Sequence, residues 1–319
     1  MDAGYRVLSD ADVEHFLTHG YVVIRGCFSR DAAEEYTRTM WTRLGYDPQD
    51  RSTWAEPSVH MPGRREIDVA AFAPRAWDAV CDLVGGPERI SADRPYRWND
   101  GFIVNLGEGA DRPWADASPG APGWHKDGDF FRHFLDSPEQ GLLTLVLWSD
   151  VRHQGGATFV AADSVGPVAR FLAAHPEGVY PGGVPGPPGV AEFDYPALTA
   201  GCTEFVEATG TVGDVYLLHP FILHAKAQNV LRAVRVITNP PVTLAEPMRF
   251  DRTGPDRHSL VEQAVLRALG TRRAPFTATA PREALVPPRV LRQRQMLAEE
   301  EARLTAPGVT GAAGPPTGR

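Results

Sequence analysis

The chain has 319 residues, 43% hydrophobic and 23% charged, the make-up of an ordinary soluble globular protein. Its net charge of −8 argues against a nucleic-acid partner, and no apolar run approaches the roughly 18 residues of a membrane span. The opening residues lack the basic-then-apolar pattern of an export signal, and Cys27, Cys81 and Cys202 are too widely spaced for a disulfide framework or a CxxC zinc site, so a cytoplasmic protein with free thiols is expected.

In chain order, Ser9 or Asp10 caps a first helix in which Val13, Phe16 and Leu17 recur at helical spacing. Gly20 ends it, and Tyr21-Val22-Val23-Ile24 follows as a short buried strand. Ser29 caps a second helix, with Ala32, Ala33, Tyr36, Met40 and Trp41 toward the core. A third, over 70–84, is interrupted near Pro74 and stopped by Gly85-Gly86. From Trp98 the period shortens, and 102–106, 142–148, 157–160, 203–206, 214–218 and 234–237 read as strands. The stretch 142–148 is almost wholly apolar, so it is expected to be buried on both faces. The Pro/Gly-rich 180–190 is a surface loop, because strands resume after it. Helices are expected at 259–269 and 290–304, and 305–319 has the composition of a disordered tail. Helices first, then many short strands, predict a mainly β fold with supporting helices (α+β), a sandwich or barrel. It is expected to form a single domain over 1–304, with helical support at 8–90, a strand core at 98–240 and C-terminal helices at 259–304.

Two segments carry chemistry. In Trp124-His125-Lys126-Asp127, a strand conformation would put His125 and Asp127 on one face, able to reach one metal. Such a tripeptide alone is common in exposed loops. The second segment runs from Gly213-Asp214 through the apolar Val215-Tyr216-Leu217-Leu218 to His219-Pro220-Phe221-Ile222-Leu223-His224. His219-Pro220 breaks the strand, and His224 sits just beyond the break. His224 reads as a third ligand; His219 reads as a core histidine that helps to orient the site. Two imidazoles and a carboxylate on one face of a metal leave the other face open, the ligand set of non-haem Fe(II) oxygenases.

Arg235 lies eleven residues beyond His224, flanked by apolar Val234, Val236 and Ile237. A buried guanidinium needs an anion, either an acid of the chain or a bound dicarboxylate whose geometry matches its planar fork. Arg232 competes for this role but lies nearer the loop end, where it is more solvated. The aromatics near the first segment (Tyr96, Trp98, Trp124, Phe130, Phe131, Phe134 and Trp148) read mostly as core. Arg64, Arg65, Arg94, Arg97 and Lys126 read as solvated charges, and no Gly-rich phosphate loop is visible.

Taken together, these motifs resemble the phytanoyl-CoA dioxygenase family of Fe(II)/2-oxoglutarate-dependent oxygenases. The resemblance spans roughly residues 8–240 and is carried by Gly123-Trp124-His125-Lys126-Asp127, Leu147-Trp148-Ser149-Asp150-Val151 with Gly155-Gly156-Ala157-Thr158, and the stretch from Gly213 through His224 to Asn229 and Arg235. It implies a double-stranded β-helix (jelly-roll, cupin-like) core, iron held by His125, Asp127 and His224, and 2-oxoglutarate anchored by Arg235. Asn105 and Thr144, on neighbouring strands, are expected to offer the co-substrate a second hydrogen bond. The implied reaction consumes O2 and 2-oxoglutarate, releases succinate and CO2, and hydroxylates a small-molecule metabolite. Relatives that halogenate carry Gly or Ala where this chain has Asp127, so hydroxylation is favoured; desaturation, cyclisation or epimerisation would use the same chemistry. The chain departs from the family in having Lys226 where a small residue is usual and Val165 where a His is usual, and its long 175–210 segment is expected to form part of a lid. The competing readings are a non-catalytic jelly-roll that binds a metal or ligand, and a metal-dependent isomerase that does not use 2-oxoglutarate.

Overall fold

The computed structural model describes residues 4–184, 186–253 and 257–305. Ser9 caps α1 (Asp10–His19) in a reciprocal box with Asp12, and Gly20 closes the helix in the left-handed conformation. The chain continues through β1 (Tyr21–Ile24). The helix expected after Ser29 comes in two pieces, α2 (Arg30–Thr37) and α3 (Met40–Leu44). Then come β2 (Ser58–His60), β3 (Glu66–Asp68), α4 (Val69–Phe72) and α5 (Pro74–Val84). The break between the last two falls at Pro74, which lacks the amide needed to continue a helix but suits its first turn.

Strands dominate the middle: β4 (Arg97–Asn99), β5 (Ile103–Asn105), β6 (Leu142–Leu147) and β7 (Thr158–Ala161). After α6 (Val165–Ala173) and α7 (Tyr195–Thr199) come β8 (Phe205–Glu207), β9 (Val215–Leu218), β10 (Leu223–Lys226), β11 (Arg235–Thr238) and β12 (Pro241–Val242). Two helices end the described chain, α8 (Leu260–Ala268) and α9 (Pro288–Thr305). Thr305 closes α9, and the rest of the expected 305–319 tail lies outside the described residues.

Every pairing between these strands is antiparallel. The large sheet runs β1-β9-β6-β11-β5-β2, with β12 joined to β6; the small one runs β10-β7-β8, and β3 pairs with β4. β6 is buried at all positions, as its apolar run predicts, because both of its faces are covered. Leu143 and Leu145 face a cavity of about 870 Å³, which Ile237 of the large sheet and Thr158 and His224 of the small sheet also line. The cavity therefore lies between the two sheets. Behind β6, Trp148 gathers Phe28, Tyr36, Phe72, Trp98 and Phe102 into an aromatic cluster. Of the aromatics near the first motif, Phe130 alone lines the cavity; the others are core residues.

Among the described residues no helix is long and apolar enough to cross a membrane. Cys27, Cys81 and Cys202 are buried and free.

Candidate metal centre and anion clamp

Sequence-distant His125 and His224 meet through the backbone. Each donates its amide to the other's carbonyl at 2.9 Å, so the 125 segment adds to the small sheet beside β10. Directly opposed residues of an antiparallel pair project to the same side, and the two rings lie 4.3 Å apart. Asp127, two residues on, turns the same way. Its Oδ1 lies 3.4 Å from His125 Nε2 and 3.5 Å from His224 Nε2. One ligating atom from each of the three residues falls within 4.8 Å of the others.

The donor chemistry suits a divalent metal. His125 Nδ1 is bonded to the Gly123 carbonyl at 2.8 Å, and His224 Nδ1 lies 3.4 Å from the Ile222 carbonyl. In each case the carbonyl two residues back engages Nδ1, which leaves Nε2 as the nitrogen that faces Asp127 and that could ligate a metal. Cis ligands about 2.1 Å from one metal stand about 3 Å apart, so the two distances from Asp127 exceed those around a bound ion by a few tenths of an ångström. Asp127 keeps its second oxygen out of the cluster, where Oδ2 accepts from Asn239 Nδ2 at 2.7 Å.

Electrostatics tie the three together. Burial alone would raise the Asp127 carboxyl, but the charges and hydrogen bonds of His224 and His125 outweigh it and hold the group well below the usual carboxylate range. Burial likewise opposes protonation of His125, yet the Asp127 partner and the Gly123 carbonyl leave it above its ordinary value.

Arg235 opens onto the same cavity from β11 and is 1% exposed. Its Nε donates to the Gly156 carbonyl at 2.6 Å and its Nη1 to the Ile103 carbonyl at 3.1 Å. Its buried Nη2 has no partner among the described residues. Burial pushes its pKa down to about 10, against the pull of Glu108. A guanidinium held by two neutral carbonyls with one fork arm unpaired is a ready carboxylate clamp. Gly156 is fixed at φ 78°, and a Cβ there would come within 2.9 Å of both Asn105 Nδ2 and Asn229 Cβ; only glycine fits beside the carbonyl that holds Arg235. Arg232, the rival in sequence, is exposed.

The expected second donors are not brought to the clamp. Thr144 lies one residue out of phase with Leu143 and Leu145, so its hydroxyl turns to the back of the sheet and bonds the Pro240 carbonyl at 2.8 Å. Asn105 pairs in register with Arg235 and does not line the cavity; its Oδ1 accepts from the amides of Gly107 and Glu108, and its buried Nδ2 has no partner among the described residues. Thr158 of β7 does line it.

His219 is a core residue, as expected. It is 1% exposed, accepts from the Phe221 amide at Nδ1 and meets the Val261 carbonyl at Nε2, and burial pushes its pKa down to about 3. Lys226 meets an acid: Glu108, at 2.7 and 2.8 Å. Lys126, expected to be solvated, is instead 4% exposed, with Nζ 2.9 Å from His133 Nδ1 and beside the rings of Phe131 and Phe221. It alternates out of phase with His125 and Asp127, and burial pushes its pKa down to about 7.

Sequence reasoning missed Asn239, Glu108 and His60. Asn239 had one faint signal, an Asn-Pro-Pro just after the strand of Arg235. His60 sits on edge strand β2, opposite Ile103 in register, and lines the cavity. From the 175–210 segment, Pro181, Gly182 and Tyr195 line the cavity as well.

No protein-family model matches the chain, and no curated protein matches it in sequence. Among solved structures it is similar to HygX from Streptomyces hygroscopicus with nickel and 2-oxoglutarate bound, at 18% identity and TM-score 0.41, covering 73% of this chain and 87% of that one. It is similar to the epimerase SnoN in complex with Fe3+, alpha ketoglutarate and nogalamycin RO, at 18% identity and TM-score 0.41, covering 78% and 92%. It is also similar to EctD from S. alaskensis in its apoform, at 17% identity and TM-score 0.43, covering 90% of each chain. Likenesses this distant carry no argument, and the site stands on its own geometry.

Proposed function

We propose that the protein is an Fe(II)- and 2-oxoglutarate-dependent dioxygenase that hydroxylates an unactivated C–H of a small-molecule metabolite. One observation carries this reading: a His125-Asp127-His224 cluster shares a cavity with a buried, half-satisfied Arg235. The resemblance to the phytanoyl-CoA dioxygenase family points the same way, and two antiparallel sheets around one cavity fit a jelly-roll core in a single domain. Buried free thiols suit a cytoplasmic setting.

His125, Asp127 and His224 would hold iron, which when bound supplies the redox chemistry that couples 2-oxoglutarate decarboxylation to C–H oxidation. Asn239 occupies Asp127 Oδ2, so Asp127 would offer a metal one oxygen. Arg235 draws the far carboxylate of 2-oxoglutarate with its free Nη2, while the carbonyls of Gly156 and Ile103 fix the angle of the fork. Leu143, Leu145 and Ile237 make that end of the cavity apolar, which excludes water from the reacting groups. A cavity of about 870 Å³ is far larger than a five-carbon diacid and leaves room for a substrate.

The test is succinate formation from 2-oxoglutarate under Fe(II), ascorbate and air, with a panel of small metabolites as prime substrates. Turnover that vanishes in His125→Ala is expected. Absence of both 2-oxoglutarate binding and succinate in the iron-loaded protein would overturn the reading.

A further inference from the structure

One wall of the cavity belongs to neither sheet: the first turns of α9. Arg289, Gln293, Met296, Glu300 and Arg303 recur at helical spacing and carry the contacts of α9 with the body, Glu300 being the one buried residue of the helix, while Arg292 is exposed. Arg289 grips Asp129 with both fork arms, at 2.6 and 2.7 Å. Gln293 reaches the Met61 carbonyl at 3.5 Å, and Met296 packs on the core. Glu300, 1% exposed, takes Arg43 Nε at 2.8 Å, and Arg43 is held in turn by Asp100 at 3.0 Å. Arg303 bonds the Arg43 carbonyl. The helix is thus fixed by a buried ion cluster two turns from the cavity.

Arg292 lines the cavity from its exposed rim, and it makes no ion pair or hydrogen bond with any described residue. The acids nearer the metal are already engaged: Asp127 by the imidazoles, Asp129 by Arg289, Glu108 by Lys226. Glu56 also lines the cavity, and it is exposed. From β2, His60 lines the same cavity, and its ring has no hydrogen-bond partner among the described residues. His60 is exposed on its strand, and desolvation within the cavity, aided by Arg289, lowers its pKa.

We propose that the substrate carries an anionic group, a carboxylate or a phosphate, and that Arg292 is the specificity-determining residue that anchors it at the outer end of the cavity. His60 offers a neutral N–H from β2, and the carbon to be oxidised lies inward, toward the His-Asp-His cluster. The chemistry at that cluster rests on the oxygenase reading; the anion preference does not.

The experiment is equilibrium dialysis of benzoate, phenyl phosphate and benzamide against anaerobic Fe(II)-loaded protein, with and without saturating 2-oxoglutarate. Benzoate or phenyl phosphate is expected to bind about tenfold more tightly than benzamide, the scale of one charge-assisted hydrogen bond. The tighter of the two anions identifies the group. R292Q should erase the preference, R292K should keep part of it, and E56Q should keep it whole. The 2-oxoglutarate affinity of R292Q should equal that of the unaltered protein. Equal affinity for all three probes, or a preference that survives R292Q, would overturn the proposal. A protein that prefers the anions through Arg292 but neither binds nor consumes 2-oxoglutarate would instead refute the oxygenase reading and leave the anion site standing.

Discussion

The metal end of the cavity hangs on paired strands, whereas the opposite wall hangs on one helix from the far end of the sequence. At the candidate metal ligands, position follows largely from register: the backbone pairing of His125 with His224, and of Arg235 with Asn105, sets those residues within the pleat of a sheet, and Asp127 follows two residues on. At the α9 wall, position follows from side-chain ion pairs: Arg43 with Glu300, Arg289 with Asp129. A ladder of backbone bonds survives the change of any one side chain, and a wall fixed by a few ion pairs does not. On the proposed function, chemistry sits on the rigid part, and the proposed selectivity on the part that substitution can most easily alter.

The largest expected effect tests the rigid part. His125→Ala and Asp127→Ala should each abolish detectable succinate formation and Fe(II) retention, while circular dichroism and the metal-free Tm stay close to the parent, because neither side chain is a core-packing residue. A collapse of the fold in either variant would show that this end, too, depends on side chains.

Arg235→Ala should weaken 2-oxoglutarate binding by more than a hundredfold, since removing one member of a buried charged pair costs on the order of 3–5 kcal/mol. Arg232→Ala should leave a 2-oxoglutarate titration almost unchanged. The reverse ranking would move the clamp to the loop.

Asn239→Ala should reduce metal affinity or turnover about ten- to a hundredfold, the usual scale for a residue that orients a ligand. An unchanged Fe(II) titration would mean that β-sheet register alone fixes Asp127.

Away from the site, the effect is on stability in acid. His219 has a folded pKa of about 3, below its unfolded value of about 6.5. Its contribution to stability is complete above pH 6.5 and is lost as pH falls toward 3, because the unfolded chain takes up a proton that the folded one refuses. The loss is about 1.4 kcal/mol per pH unit in that window. Urea melts of His219→Gln between pH 7 and pH 4 should fall less steeply than those of the parent by about this amount.

The rigid part was also the legible part. Apolar runs such as 142–148 and 215–218 announce strands, and the i, i+2 spacing of His125 and Asp127 announces a shared face, because sheet geometry is local and periodic. The same periodicity, applied without the phase, misplaced Thr144: whether a residue of an all-apolar strand faces the cavity or the back is not written in the strand itself, since both sides are buried. Asn105 was rightly placed beside Arg235, but a turn of its own amides claimed its oxygen. The α9 wall was illegible for another reason. Its charged residues have the composition of a solvated helix, and the partners that hold Arg289 and Glu300 lie 160 and 257 positions away in sequence. His60 sits in a three-residue strand too short to show a period.

The distance along the chain between ligands and latch has a consequence for how the protein is made. The strands that carry His224 and Arg235, and Asn239 behind Asp127, are all synthesised by Val242. Glu300 leaves the ribosome roughly 3–12 s later at ordinary elongation rates. A nascent chain therefore holds its full set of candidate metal ligands before it holds the helix that lines one wall of their cavity, so the order of synthesis puts the ligand set ahead of the completed pocket.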